Sequence, residues 1–282
     1  MRSISKSFPG VRALDGVSFD LNAGEIHALV GENGAGKSTL IKVLAGVYSH
    51  PEYGGQIFLD GSERRFANVR DAKNAGIAVI YQELSLVKEL SVAENIFLGR
   101  EPRRFGIINW EKLYSRAQKL LSDLHLEIDP RTPVVNLGIG QQQLVEIAKA
   151  LSQDARILVL DEPTAALTDA EVGILFAILN QLRVRGVAMI YISHKLDEVF
   201  RIGNRITVLR DGKTIGTDAA RDLDEGRVIA RMVGREVDQI FPEAKHDRGE
   251  VIFEARNVTV QDPSVPGKLL VDHVGFTARK SC

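Results

Sequence analysis

Nine consecutive residues, Gly31-Glu32-Asn33-Gly34-Ala35-Gly36-Lys37-Ser38-Thr39, fit the pattern G-x-x-x-x-G-K-[ST]. Glycines at this spacing let successive backbone N–H groups turn inward on phosphate oxygens. Lys37 can then reach the β and γ phosphates of a nucleotide, and the Ser38 hydroxyl can ligate Mg²⁺. Such a loop needs a partner carboxylate, and Asp161-Glu162 follows the apolar run Ile157-Leu158-Val159-Leu160. Asp161 can hold the Mg²⁺ shell, and Glu162 can take a proton from an attacking water. Gln82 and His194 also come directly after apolar runs, where polar groups can touch Mg²⁺, water or the γ-phosphate. Taken singly, His194 reads as an ordinary surface histidine; as one of an ordered set it gains meaning.

These residues must be carried by strands and helices. Glu25 to Val30 reads as a short buried strand entering the loop, and Ser38 to Val47 as a helix leaving it, its positive N-terminal dipole aimed at phosphates. Before it lie β-type pieces at Arg2 to Phe8 and Val17 to Leu21, with turns at Pro9-Gly10 and Ala23-Gly24. After it, the pattern predicts a strand at Gln56 to Leu59, a helix at Asp71 to Ala75 stopped by Gly76, and a buried strand at Ile77 to Tyr81. A mainly helical region comes next. Ser91-x-x-Glu94 is a capping box for a helix to Leu98, Trp110 to Leu124 has helical periodicity, and a third helix runs from Gln141 to Leu151. The chain then alternates: strand Ile157 to Leu160, a helix opened by the capping box Thr168-x-x-Glu171, strand Val187 to Ile192, helix Lys195 to Phe200, strand Arg205 to Leu209, the Asp211-Gly212 hairpin, and helix Leu223 to Val233. Alternation of this kind predicts an α/β fold with a mostly parallel sheet and nucleotide at the carboxyl ends of its strands.

Composition narrows the class. The chain has 282 residues, 44% apolar and 26% charged, with a formal net charge of −1. That balance argues against a binder of nucleic acid that works by neutralising phosphates. The single cysteine, Cys282, offers no disulfide framework and suggests a reducing compartment. No apolar run approaches the roughly 18 residues needed to cross a bilayer, so a soluble protein is expected. His27, His50, His125, His246 and His273 form no cluster at metal-ligand spacing, so no metal beyond Mg²⁺ is expected.

Gly234 to Gly249 is polar and reads as a linker, and the segment after it repeats the start of the chain. Arg256-Asn257-Val258-Thr259 matches Arg2-Ser3-Ile4-Ser5, and Leu270 to Phe276 matches Ala13 to Phe19 at an offset of 270 − 13 = 257. The expectation is one complete unit plus the opening strands of a second, interrupted before its own phosphate loop. The other reading is a C-terminal β extension paired with its own domain.

With these residues in view, residues 1 to about 240 resemble the ATP-binding cassette family. The resemblance implies a P-loop NTPase, RecA-like fold: a mostly parallel sheet with an antiparallel β subdomain and a helical subdomain at about 85–150. It implies that Phe8 stacks on adenine, that Gly31 to Ser38 is Walker A, and that Gln82 is the Q-loop and a Mg²⁺ contact with Ser38 and Asp161. Asp161 and Glu162 become Walker B with the catalytic glutamate, Ala165-Ala166-Leu167-Thr168 the D-loop, and His194 the switch histidine. The signature motif, usually L-S-G-G-Q, stands here as Leu137-Gly138-Ile139-Gly140-Gln141. Six motifs in order make a specific signal. The wording around Val87 to Gly99, Leu137 to Leu151 and Tyr191 to Leu196 is similar to the ATPases of bacterial monosaccharide importers, closest to the xylose type.

The resemblance implies an ATPase using ATP and Mg²⁺, peripheral on the cytoplasmic face of the bacterial inner membrane. It would energise permease subunits fed by a periplasmic sugar-binding protein, with no nucleic acid partner. Residues 241–250 would be the linker and 251–282 the first strands of a second cassette. ATP would lie between the Walker A face of one cassette and the signature of another, a homodimer partner or the missing half. Two departures bear on this. Gly138 replaces the usual signature serine, and Thr168 replaces the usual D-loop aspartate. The competing readings are a soluble cassette ATPase not coupled to transport and an ATP-binding fragment with impaired hydrolysis.

Overall fold

The computed structural model describes residues 1–81, 84–153, 155–234, 250–263 and 267–280. The chain divides into two compact units, Met1–Gly234 and Arg235–Cys282. In the first, β1 (Arg2–Phe8), β2 (Val11–Val17), β3 (Ile26–Val30) and α1 (Lys37–Leu44) lead to β4 (Gly54–Leu59), β5 (Ser62–Arg64), α2 (Val69–Asn74) and β6 (Ile77–Ile80). The next stretch holds α3 (Val92–Ile96), the two-residue strands β7 (Arg103–Arg104) and β8 (Ile107–Ile108), α4 (Trp110–Asp123) and α5 (Ile139–Leu151). The unit closes with β9 (Ile157–Asp161), α6 (Asp169–Val184), β10 (Ala188–Ile192), α7 (Leu196–Ile202), β11 (Arg205–Arg210), β12 (Lys213–Ala219) and α8 (Glu225–Val233).

A six-stranded sheet has the order β12-β11-β3-β10-β9-β6. Its strands are parallel from β11 to β6, and β12 returns antiparallel along β11. Because β3 and β10 are covered on both faces, every one of their residues is buried, which is why they read as unbroken apolar runs. His27 is the polar exception in β3; its ring bonds the Asp20 carbonyl at 2.8 Å and Thr207 Oγ1 at 2.7 Å, and burial lowers its pKa. A second, antiparallel sheet has the order β2-β1-β4-β5. One apolar core lies between the main sheet and α3 to α6; another joins α1 to the antiparallel sheet through Ile4, Leu14, Leu40 and Ile57.

Three expectations shift. The strand expected at Val17 to Leu21 is β2, Val11–Val17, which pairs with β1 from Phe8↔Val11 to Ile4↔Val17. Residues 18 to 21 leave the ladder because their groups bond elsewhere: Phe19 exchanges hydrogen bonds with Met1, and the Asp20 carbonyl meets His27. The helix expected from Gln141 begins at Ile139, since Gly138 is its N-cap and Gln142 N–H donates to the Gly138 carbonyl at 3.0 Å. The helix after the phosphate loop ends at Leu44 rather than Val47, with Gly46 at φ 69° turning the chain. Strand β5 had no apolar signal to read, because all three of its residues are exposed.

Asp20 and Arg205 join this turn to β11 through paired bonds of 2.8 and 2.9 Å. The Arg205 hydrogen bond holds the Asp20 carboxyl below its ordinary value. A depressed folded pKa contributes stability that is present above the unfolded value near 3.9 and lost as pH falls through the folded one. Asp20→Asn is therefore expected to cost on the order of 0.5–1 kcal/mol at pH 7, solvent screening included. Urea unfolding at pH 7 and at pH 2.5 checks it: the difference between variant and wild type should close at the lower pH.

The second unit is a hairpin of β13 (Val251–Gln261) and β14 (Leu269–Arg279). It repeats the irregularities of the β1–β2 hairpin as well as its sequence. Ser3 and Asn257 have φ 50° and 51°, and Gly16 and His273 have φ 66° and 51°. Ile4 pairs with Val17 and Val258 with Val274. Gly16 N–H donates to Ser5 Oγ at 2.9 Å, and His273 N–H to Thr259 Oγ1 at 3.3 Å. The linker expected at 241–250 lies outside the described residues apart from Glu250.

Candidate functional site

Parallel strands bring the ends of β3, β9 and β10 to one edge of the sheet. There a cavity of about 630 Å³ is lined by Asn33 to Thr39, Asp161, Glu162 and His194. These residues are distant in sequence and meet only because β3, β10 and β9 are neighbours.

The loop between β3 and α1 is held from outside. Gly212 N–H donates to the Ala35 carbonyl at 3.1 Å and Asp15 N–H to the Gly212 carbonyl at 2.8 Å, which ties the loop to the β11–β12 turn and to β2. Gly36 has φ 105°, a conformation costly for any residue with a Cβ, and a Cβ there would stand 2.7 Å from the Ala13 carbonyl oxygen. Lys37 Nζ donates to the Gly31 carbonyl at 2.6 Å and the Glu32 carbonyl at 3.1 Å. Burial lowers the Lys37 pKa, while Glu162 and Asp161 pull it back up. Burial raises the Asp161 pKa, the Glu162 charge adds to this, and Lys37 opposes it. An acid and a base strained in opposite directions across one cavity fit a site built for a further charged group.

Glu162 carries its own strain. It sits at φ 50°, in the left-handed region, with its N–H donating to the Ile192 carbonyl at 2.9 Å. Its Oε2 lies 2.9 Å from His194 Nδ1. The Glu162 side chain is 15% exposed and the His194 side chain 67%, so the pair spans from the wall of the cavity to its mouth.

Ser38 and Asp161 share this cavity, and a hydroxyl with a carboxylate is an oxygen donor set suited to a hard cation such as Mg²⁺. Gln82 lies outside the described residues. Among the described residues no three His, Cys, Asp or Glu side chains form a metal cage of their own.

Other expected residues fall elsewhere. Phe8 is 37% exposed and packs edge-on against Tyr48 at 5.6 Å; the cavity is lined by its pairing partner Val11, with Arg12 and Ala13. None of Leu137 to Gln141 belongs to that lining. Gly138 and Ile139 are exposed, and a Cβ on Gly140 would overlap the Glu171 carboxylate, so the 137–141 turn abuts the start of α6. Gly138 N–H reaches Gln141 Oε1 at 3.3 Å. Thr168 is the N-cap of α6, its hydroxyl and N–H both bonded to Glu171. Sequence reasoning missed Arg12, Asp211 and Gly212 as lining residues; Asp211-Gly212 carried a turn signal only, and its packing on the loop is a tertiary fact.

A family description, ABC transporter, matches residues 14–165. The chain belongs to the ABC transporter family. It is similar to the xylose import ATP-binding protein XylG of Thermoanaerobacter pseudethanolicus, with 59% identity over 280 residues, 99% of this chain and 55% of that one. The XylG of Moorella thermoacetica is 56% identical, across 99% of this chain and 56% of its own length. The chain thus spans about half the length of these curated relatives. Among solved structures, the ADP conformation of MJ1267, an ATP-binding cassette of an ABC transporter, matches with a TM-score of 0.70 and 26% identity, covering 83% of this chain and 97% of that one. A nucleotide-free ATP-binding cassette gives the same score and identity over 86% of this chain and 98% of its own. The fold of this ABC-family chain is that of a P-loop NTPase cassette, and family membership carries nucleotide binding with it.

Proposed function

We propose that this chain is the ATP-binding and hydrolysing part of a monosaccharide importer, most closely a xylose or similar pentose system. The observation that carries this is the single cavity where Lys37 and Ser38 face Asp161, Glu162 and His194. The names of the XylG relatives support the sugar.

In this reading the amides of Gly31 to Thr39 and the Lys37 ammonium spread the charge of the transferring phosphoryl group. Glu162 orients water and takes its proton, and His194, fixed by Glu162 through Nδ1, presents its other ring nitrogen to the γ-phosphate. Mg²⁺, held by Ser38 and Asp161 with Gln82, would neutralise phosphate charge. Phe8 would stack on adenine. Positioning and electrostatics supply most of such catalysis.

The partners proposed are membrane permease subunits, a periplasmic sugar-binding protein acting through them, and a second cassette. No helix among the described residues is long and apolar enough to cross a membrane, in keeping with a peripheral place on the cytoplasmic face of the inner membrane. Residues 1–240 form the nucleotide-binding domain, with 85–150 as the helical subdomain that receives a permease helix, and 241–250 as linker. The hairpin at 251–282 opens a second cassette. Its match to β1–β2 in bulge, register and hydrogen bond supports that reading. So does exposure: Ile4 and Val17 are at most 1% exposed, whereas their counterparts Val258 and Val274 are 39% and 47% exposed.

The signature of this chain stands apart from its own phosphate loop, which favours a shared site: Leu137 to Gln141 would close over nucleotide held by another cassette. Glu162→Gln with MgATP is expected to sediment as a dimer with ATP trapped, and Gly138→Ser added to it to tighten that dimer by about 100-fold or more, one hydrogen bond of about 1.5–3 kcal/mol to a charged oxygen at each of its two sites. A persistent monomer at all nucleotide concentrations would rule out a shared site made by two copies of this chain and leave the second cassette as its partner. A xylose-dependent stimulation of hydrolysis with permease and binding protein in vesicles tests the importer itself.

A further inference from the structure

Outside the cavity, one buried carboxylate binds the two loops that carry Glu162 and His194. Glu198, in the first turn of α7, is 5% exposed. Its Oε2 accepts from Thr164 Oγ1 at 2.7 Å, from Tyr191 OH at 2.8 Å and from Ser193 Oγ at 3.5 Å, and its Oε1 meets Lys195 Nζ at 3.1 Å. Thr164 comes two residues after Glu162, and Ser193 and Lys195 flank His194. Thr164, Tyr191 and Ser193 are at most 1% exposed.

An ionised carboxylate only accepts, so it turns the hydroxyls toward itself, and charge shortens and strengthens the bonds from Thr164 and Tyr191, at 2.7 and 2.8 Å, while Ser193 Oγ makes a longer contact at 3.5 Å. The turn it anchors needs an outside hold. Glu162 is in the left-handed region, and the turn's own bonds are few: Ala165 N–H to the Glu162 carbonyl at 3.2 Å and Leu167 N–H to the Thr164 carbonyl at 3.1 Å. On the other loop, Lys195 N–H donates to Ser193 Oγ at 3.1 Å, so the hydroxyl that reaches Glu198 also shapes the backbone after His194. Burial, and next the Glu198 charge, push the Tyr191 hydroxyl well above its ordinary value, which keeps it a donor to Glu198.

We propose that Glu198 is a positioning residue for hydrolysis: by tying the 162–167 turn to the 193–195 loop it sets the 2.9 Å contact between Glu162 and His194. The proposal rests on the hydrolytic reading of the cavity. Glu198 touches no reacting atom and acts through the pair.

The test compares Glu198→Gln, Thr164→Val and Thr164→Ser in the full chain. Glu198→Gln keeps the shape but sets an NH₂ among donors; Thr164→Val removes one hydroxyl at constant volume, and Thr164→Ser restores it. Expected are falls in kcat of about tenfold or more for the first two with KM within about twofold, and near wild-type kcat for Thr164→Ser. A readout independent of turnover is the NMR signal of the His194 ring without nucleotide, assigned by its loss in His194→Gln. It should move in Glu198→Gln and Thr164→Val and stay in Thr164→Ser. Unchanged kcat and an unmoved His194 signal, with only a lower Tm, would overturn the proposal. Should wild type alone not hydrolyse ATP, the hydrolytic reading is decided with a second cassette added, and the His194 signal alone decides the positioning. Should Glu198→Gln not fold, the Thr164 pair still decides it.

Discussion

Glu162→Gln is expected to bind MgATP as wild type does and to hydrolyse it about 10² to 10⁴-fold more slowly, the range lost with a positioned general base. The amide keeps the shape of the side chain and its place at the end of β9 but has no basicity. The variant also tests the neighbour: His194 Nδ1 lies 2.9 Å from Glu162 Oε2, a contact an amide can keep. A His194→Ala change should therefore lower hydrolysis in wild type and add much less on top of Glu162→Gln, since the two act as a unit. Phosphate release under single-turnover conditions measures both. Hydrolysis within about threefold of wild type in Glu162→Gln would remove Glu162 from the base role.

Lys37→Ala should weaken MgATP binding about 100-fold. Lys37 Nζ is already aimed into the loop by the Gly31 and Glu32 carbonyls, so little ordering remains to be done when phosphate arrives. Each charge-assisted bond is worth about 1.5–3 kcal/mol, and about 2.7 kcal/mol corresponds to a hundredfold. The empty protein should not suffer in stability, because burial already works against the Lys37 charge. Titration with a fluorescent nucleotide gives the affinity, and thermal unfolding without nucleotide gives the second half. An unchanged affinity would mean that the loop amides alone hold the phosphates.

Much of this was legible in the chain itself, for local reasons. The phosphate loop is contiguous and its glycine and lysine spacing is set by the ligand it fits, so Gly31 to Thr39 could be read directly. The capping boxes at Ser91 and Thr168 came through because a cap is made within four residues, and both form as expected. The buried strands β3, β6, β9 and β10 stood out because a parallel sheet covered on both faces admits few polar residues. The repeat at 256–259 and 270–276 was visible as words, and the hydrogen bond from His273 to Thr259 shows it as geometry.

Relations between segments needed the tertiary structure. That β2 ends at Val17 comes from the register with β1 and from Phe19 turning to Met1, neither of which has a local signal. Arg12 on β2 and the Asp211-Gly212 turn line the cavity because β2 and the β11–β12 hairpin both pack on the loop. Glu198 carried no signal in the sequence; its burial against Thr164, Tyr191 and Ser193 exists only once β9 and β10 lie side by side. The sequence by itself determined which residues can do the chemistry, because motif spacing encodes the shape of the phosphate. The fold decided which of them meet, because only the order of strands in the sheet sets distance between residues far apart in the chain: Lys37, Asp161, Glu162 and His194 share a cavity, and Leu137 to Gln141 lie outside it.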